Sequence, residues 1–526
     1  GPSWGDFDGD GYIDVMITGS LDAQVRTSRI HKNLSAEFIG RFTSSSRQFT
    51  DVKIPSLTGA RSAVGDLDND GDVDAVLTGL EGQELVSYLV INHGMKNADT
   101  LGIEVIDFPL ALPGNDPGDV GRGVYDTSSV SYSVDGADGL VDGWISLHDI
   151  DLDGDLDITV QGTVDVNEDD ATVEGGAANN YMGGYLAILK NDGDLNFSPW
   201  HIWDGPGIVD SIPVGSTLLD QLGVGEHAWA DVDNDGDPDL IAIGYSSVST
   251  EFTYTIFYDG QPSPFQNWEA SALRIYENIG DGRLEMMQSF PGLRRASICV
   301  ADVDNDDRVD IIVTGFDDHS LISPLVEGNP TIQYYQNHPT EGFRPVRVRL
   351  FENADAIAAG VAAGVVRAAD MDRDDDVDIL VNGRSVVDFS LWFDKFNFEP
   401  VSRIYSNTIA NSRQYANRQP KAPGPLSTNE LGNTTSDILL SWAEPLEPSP
   451  QTYALRIGTS QGAHDIRSGS EPEGLGTIGY ATDAPINGLA DGRYYWSVQS
   501  VDPSLARSFW ASEQQFVVDT TPPEVI

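Results

Sequence analysis

The sequence predicts an all-β chain: a β-propeller with six visible repeats, hence six or seven blades, followed by a small β-sandwich. Three observations predict it. One nine-residue aspartate pattern recurs six times, at intervals that leave room for about four short strands per repeat. Each copy runs into a short, mostly apolar, β-rich segment bounded by turn residues, which reads as a buried strand. No segment carries a convincing 3.6-residue period.

The pattern is Asp-x-Asp-x-Asp-Gly-x-x-Asp. It stands at Asp6, Asp8, Asp10, Gly11 and Asp14; at Asp66, Asp68, Asp70, Gly71 and Asp74; at Asp149, Asp151, Asp153, Gly154 and Asp157; and at Asp231, Asp233, Asp235, Gly236 and Asp239. The fifth copy (Asp302, Asp304, Asp306, Asp310) and the sixth (Asp370, Asp372, Asp374, Asp378) keep every carboxylate but carry Asp307 and Asp375 in place of the glycine. Successive copies start 60, 83, 82, 71 and 68 residues apart. The strand after each loop reaches a glycine at a fixed offset: Gly19, Gly79, Gly162, Gly244, Gly315 and Gly383. A later strand of each repeat ends in asparagine: Asn33, Asn92, Asn191, Asn278, Asn337 and Asn407. The residue before the first aspartate is small (Gly5, Gly65, Ala230, Ala301, Ala369) except at His148.

The longer repeats carry insertions. Residues 113–142 hold Asp135, Asp138 and Asp142, which read as a decayed or extra metal loop. Residues 164–184 are rich in Gly, Asn and Asp and read as an exposed loop; 196–212 and 258–270 carry Trp200, Trp203, Phe265 and Trp268 among prolines. The repeats end near residue 415, and the Pro-rich stretch 416–425 reads as a stiff linker. Residues 426–518 alternate as short strands (Ile438–Trp442, Tyr453–Ile457, Tyr494–Val498) and predict the sandwich. The opening Gly1-Pro2-Ser3-Trp4, without Met, and the Pro-rich tail 519–526 read as the ends of a piece of a larger chain.

Charge excludes whole classes of partner. The 526 residues hold 30 Lys+Arg against 83 Asp+Glu, a net charge of −53. Such a polyanion repels nucleic-acid phosphates and anionic membrane surfaces, and no run of 18 apolar residues could span a bilayer. The single cysteine, Cys299, rules out a disulfide framework and, in its apolar run, reads as a buried structural thiol.

Four carboxylates within nine residues repel one another unless a cation sits between them. Aspartates at positions 1, 3 and 5 of a curled loop converge, position 7 can add a backbone carbonyl, and position 9 closes the shell. Glycine at position 6 permits the sharp turn. All-oxygen ligation without His or Cys selects a hard cation, and flexible geometry favours Ca2+, up to about six per chain. An EF-hand would need Glu at position 12, but Ile17, Leu77, Val160, Ala242, Val313 and Val381 stand there, inside the following strand. These loops therefore join strands and act as structural staples. Six Ca2+ would bring −53 only to about −41, so the acidity exceeds what the loops use.

The loops, the apolar run behind them and the strand ending in Asn resemble the FG-GAP/VCBS repeats of integrin α-subunit propellers and bacterial surface proteins, over residues 1–415. The resemblance implies metal ligation by the four aspartates of each copy. Propellers of that kind usually have seven blades, so either a six-bladed ring closes or a seventh blade lacks the motif or was trimmed. Residues 426–518 resemble a fibronectin type III domain, with Trp442 as the early core tryptophan and Leu489–Val498, around Tyr494, as the tyrosine-corner stretch.

For function, the leading reading is an extracellular or cell-surface binding or adhesion module. Propeller loops carrying Trp200, Trp203, Phe265 and Trp268 would contact a protein or glycan ligand. The alternatives are a part of a secreted polysaccharide-active enzyme, catalytic or not, and a structural spacer in a surface array. No catalytic constellation is visible: Gly458-Thr459-Ser460-Gln461-Gly462 fits a nucleophile pattern but lacks a following helix, and His148, His201 and His227 read as structural.

Overall fold

The computed structural model describes residues 2–10, 12–20, 26–33, 47–48, 53–81, 84–97, 100–108, 141–166, 181–193, 195–203, 218–219, 222–246, 257–258, 261–262, 270–317, 329–346, 360–372, 376–390, 395–407, 417–430, 438–467, 469 and 478–520. Among these residues there is no helix, and none long and apolar enough to cross a membrane.

Six small sheets follow one another along the chain, as in a propeller. The first comprises Pro2–Gly5, Asp14–Ser20, Arg26–Lys32 and Arg47–Gln48; the second, Thr58–Gly65, Asp74–Glu81, Glu84–Asn97 and Thr100–Asp107. The third comprises Val141–His148, Asp157–Val166, Tyr181–Asn191 and Phe197–Trp203, with Leu218–Leu219 added in parallel at its edge. The fourth holds Gly223–Ala230, Asp239–Ser246, Ala270–Asn278 and Leu284–Pro291; the fifth, Arg294–Ala301, Asp310–Asp317, Asn329–His338 and Gly342–Val346. The sixth has three described strands, Ala362–Ala369, Asp378–Ser390 and Lys395–Tyr405.

The aspartate pattern marks the first turn of each sheet, so every repeat begins one strand before its motif. The residue ahead of the first aspartate pairs with the ninth: Gly5 with Asp14, Gly65 with Asp74, Ala230 with Asp239. Its small size has a steric cause. A Cβ on Gly5 would come 2.9 Å from Val73, and one on Gly65 2.7 Å from Leu156, side chains of the next repeat's loop. The fixed-offset glycine serves the same first strand, which breaks register where it passes, as between Gly223 and Glu226. A Cβ on Gly244 would lie 2.5 Å from the Gly223 carbonyl oxygen.

The core lies between sheets rather than inside one. Apolar clusters join the first sheet to the second (Phe7, Met16 and Ile30 with Leu57 and Leu77), the second to the third (Val76 and Ile91 with Ile145 and Val160), and so on to the sixth (Cys299 and Ile312 with Val366 and Ile379). The second strands of the second to fifth sheets are therefore buried on both faces, as in Asp310–Phe316, which is why they read as unbroken apolar runs, whereas Ile17 of the first sheet is exposed. Cys299 sits in the last of these clusters, and burial pushes its thiol up to about 12.

Side chains tie the first strands to one another. Ser3 donates to the Ser62 carbonyl (3.1 Å), Arg61 Nε to the Gly143 carbonyl (2.8 Å), and the Ile298 amide to Glu226 (2.9 Å). Ser146 Oγ and His227 Nε2 lie 2.7 Å apart, and the Val366 amide donates to Ser297 (3.1 Å). First strands of the first, second, third, fourth and sixth sheets line a central cavity of about 460 Å³, together with Thr452, Ile478, Gly479 and Tyr480.

Two further three-stranded sheets close the described chain: Leu426–Glu430, Ile438–Trp442 and Asp483–Ile486 in one, Thr452–Gly458, Gly492–Val501 and Gln514–Val518 in the other. They enclose a common core of Leu440, Trp442, Tyr453, Leu455, Trp496 and Val498. Tyr494 Oη donates to the Ala490 carbonyl at 2.8 Å, the bond of a tyrosine corner.

Candidate metal loops

Among the described residues, the first five loops are wound by their own carboxylates. The first aspartate accepts backbone N–H groups from positions 5 and 6: Asp149 from Asp153 and Gly154 (both 3.0 Å), Asp302 from Asp306 (3.1 Å) and Asp307 (2.9 Å). The fifth accepts from position 7, as Asp70 does from Asp72 (2.9 Å). Position 6 takes the left-handed conformation that favours glycine, with φ of 96° at Gly71, 95° at Gly154 and 102° at Gly236. Asp307 adopts φ 65° in the fifth loop, so that turn forms without glycine. Asp374 and Asp375 of the sixth loop lie outside the described residues, as do Asp135 and Asp138.

Carboxylate oxygens converge in consequence. Within Asp6, Asp8 and Asp10, within Asp66, Asp68 and Asp74, within Asp149, Asp151 and Asp157, and within Asp231, Asp233 and Asp239, ligand-type oxygens lie within 4.8 Å of one another. These clusters could hold a metal ion. Buried oxygens of Asp8, Asp14, Asp66, Asp151, Asp237, Asp304 and Asp306 lack a hydrogen-bond partner, the condition a coordinated cation relieves. Burial, reinforced by neighbouring carboxylates, raises Asp66, Asp149 and Asp231 to about 7, Asp14 and Asp302 to about 8, and Asp239 to about 9.

The ninth aspartate does more than close a shell. Asp239 accepts the Val232 amide (2.7 Å) on one oxygen and the Asn278 amide (2.7 Å) on the other, joining the loop to the end of the third strand. Asp74, Asp157, Asp310 and Asp378 repeat both bonds. The asparagine then reaches across to the preceding sheet's loop. Asn92 Nδ2 donates to the Phe7 carbonyl (2.9 Å), Asn191 to Leu67 (3.1 Å), Asn278 to Ile150 (3.0 Å), Asn337 to Val232 (2.6 Å) and Asn407 to Val303 (2.8 Å). Position 4 adds a second link: Asn69 donates to Asp155 and Asn305 to Asp376, both at 2.7 Å. Asn234 instead finds the Asp307 carbonyl (3.0 Å), because Arg308 stands at position 7 of the fifth loop.

Basic side chains enter four of the loops. Lys32 pairs with Asp8 and, at 2.9 Å, with Asp10; Lys190 pairs with Asp151 and, at 2.9 Å, with Asp153; Arg308 pairs with Asp306. Arg467, from the last two sheets, lies 3.3 Å from Asp66, with both side chains buried or nearly so. The fourth loop has no such partner among the described residues, and Glu277 adds a further negative charge beside Asp233.

The last two sheets seat on this loop face. Beyond Arg467, the Asn487 amide donates to the Asn69 carbonyl (2.9 Å), the Asp231 amide to Tyr480 Oη (3.0 Å) and the Asp302 amide to the Pro503 carbonyl (2.9 Å). A Cβ on Gly154 would strike Pro485 at 2.7 Å, a second reason for glycine there. Arg467→Ala is expected to cost about 2 kcal/mol, the worth of a charge-assisted hydrogen bond at a buried carboxylate. Chemical denaturation would measure it; a change below about 0.5 kcal/mol would show the pair to be inconsequential.

The predicted contact aromatics are placed unevenly. Trp200 is half-buried against the cluster of Ile188, Trp229 and Tyr276, with Lys190 5.2 Å from its ring centroid. The side chain of Trp203 and all of Phe265 and Trp268 lie outside the described residues. Ser460 sits in a turn after Thr452–Gly458, with no helix behind it. His227 is buried and His148 half-buried, and desolvation lowers them to about 3 and about 4, which favours neutral imidazoles.

No curated protein matches the chain. Among solved structures it is similar to a fructofuranosidase from Schwanniomyces occidentalis at 10% identity, over 86% of this chain and 89% of that one, with a TM-score of 0.26. It is similar to a glycoside hydrolase family 43 arabinoxylan arabinofuranohydrolase from Bacillus subtilis at 10% identity, over 86% and 93%, with a TM-score of 0.27. The chicken CNTN1 FN1–FN3 domains align at 11% identity over 56% of this chain and 98% of that one, with a TM-score of 0.18. Residues 3–77, which span the first two loops, match the FG-GAP-like repeat family.

Proposed function

We propose that this chain is an extracellular, calcium-stiffened binding module. In this reading residues 1–415 form an FG-GAP/VCBS-type propeller, 416–425 a linker and 426–518 a fibronectin type III-like domain, with propeller loops contacting a protein or glycan. The carrying observation is the convergence of buried carboxylate oxygens, several without a hydrogen-bond partner, in repeated loops of one geometry. Oxygen-only donors and a loop able to adjust its radius favour Ca2+ over transition metals. The six sets of Asp6, Asp66, Asp149, Asp231, Asp302 and Asp370, each with its partners at positions 3, 5 and 9, would be the ligands. Calcium outside cells is abundant enough to fill even weak modules of this kind, with dissociation constants of about 0.1–1 mM.

Isothermal titration of metal-free protein tests this. About five or six Ca2+ should bind per chain, with affinities that differ between loops. The fourth loop, which lacks a basic partner among the described residues, should fill first. Asp235→Asn should remove the tightest phase and leave the others. Fewer than about two ions bound, or equal titrations for both proteins, would defeat the reading.

A further inference from the structure

The central cavity has a composition unlike the rest of the molecule. At about 460 Å³ it falls within the range of small-molecule sites. Its wall carries Trp4, Arg61, Trp144, Ser146 and Arg367 from four different sheets, and Tyr480 from the last two sheets lines it as well. Trp4 is 44% exposed although it lies on a first strand, and with Pro2 and Ser3 it lines the cavity. In a chain with 83 acidic against 30 basic residues, nearly every interior cation would be expected to meet a carboxylate. Arg367 does: it bonds Glu226 at 2.7 Å and lies 5.0 Å from the Trp144 ring centroid. Arg61 does not. Its Nε donates to the Gly143 carbonyl (2.8 Å) and its Nη1 to the Ala60 carbonyl (3.2 Å), so among the described residues its positive charge faces only neutral oxygens.

A guanidinium held by two carbonyls is oriented but not neutralised, and it prefers a planar, bidentate anion. An exposed indole in the same wall offers a flat apolar face. The Tyr480 hydroxyl, which accepts the Asp231 amide at 3.0 Å, keeps its own hydrogen for donation. A planar anion, a ring with an apolar face and hydroxyl groups together describe one ligand class. We propose that the cavity binds a carboxylated saccharide, a uronate unit whose carboxylate meets Arg61 and whose ring lies on Trp4. Two carboxylates of the cavity's lining, Asp66 and Asp149, belong to the metal loops, so the ligand would be met in calcium-loaded protein. Arg61 and Trp4 lie outside the loops, and failure of this inference would leave calcium binding untouched.

The test is titration of calcium-loaded protein with trigalacturonate and, in parallel, neutral maltotriose, read by calorimetry and by quenching of tryptophan fluorescence. Saturable binding of trigalacturonate, at least tenfold tighter than maltotriose, is expected. Arg61→Gln should weaken it at least tenfold. Because Arg61 also bonds two carbonyls, Trp4→Ala provides a second arm, at an exposed position, with the melting temperature checked for both variants. No saturation by trigalacturonate, equal binding of the neutral sugar, or unchanged binding in the well-folded Trp4→Ala protein would each overturn the proposal.

Discussion

Removing calcium is expected to lower the melting temperature by at least ~10 °C relative to protein in about 2 mM Ca2+, because each loop loses the mass-action stabilisation of a ligand that binds only the folded state. At about 2 mM against dissociation constants of about 0.1–1 mM each site contributes roughly 0.6–1.8 kcal/mol, and several together rival the whole stability of an ordinary domain. The loss should depend on pH. In the metal-free state burial and mutual repulsion hold Asp14 and Asp302 near 8 and Asp239 near 9, against an ordinary carboxylate value of 3.8. Between about pH 4 and pH 8 the folded chain therefore binds more protons than the unfolded chain, and stability falls as pH rises through that window. Calcium replaces those protons, so the loaded protein should lose that slope. Scanning calorimetry of the metal-free and loaded forms at about pH 5.5 and pH 8 reads both effects. A melting point indifferent to chelation at both pH values would remove the metal from the account.

The second large effect belongs to asparagine. Asn278→Ala is expected to destabilise the chain by about 3 kcal/mol, since it strips the donor from the Ile150 and Pro238 carbonyls, bonded at 3.0 and 3.2 Å, and a buried carbonyl left without a donor costs roughly 1–3 kcal/mol. The Asn278 backbone amide, bonded to Asp239, is untouched, so the loss should fall on the union of the third and fourth sheets and on the Pro238 anchor, with the Asp239 link intact. Urea unfolding of both proteins in calcium measures it; a difference under about 1 kcal/mol would mean that the apolar packing alone joins the sheets.

Much of this was legible from residues alone. The aspartate pattern located every first turn, the apolar runs located the second strands, and Tyr494 located the corner bond of the C-terminal sheets. The repeated asparagines were visible too, but their role was not. Asn191 and Leu67 are 124 positions apart, and only the stacking of successive sheets brings that amide to that carbonyl. The same holds for Asn69 and Asp155, and for Arg467, which sequence places in a different unit from Asp66. Short-range spacing fixes what a loop can coordinate; contacts between sheets depend on where the ring sets its neighbours. The small residues Gly5 and Gly65 show the same limit, because the side chains that require them, Val73 and Leu156, come from the next repeat.

The seating of the last two sheets on the loop face would set how long a bound ion stays. Arg467, Asn487, Tyr480 and Pro503 touch the second, fourth and fifth loops, so in a loaded protein those contacts would act as a lid over these loops. Escape of an ion from beneath it must wait for the lid to lift, and residence there is governed by that opening rather than by the strength of the carboxylate cage. If the proposed calcium sites are filled, a brief fall in ambient calcium would pass without loosening the sheets.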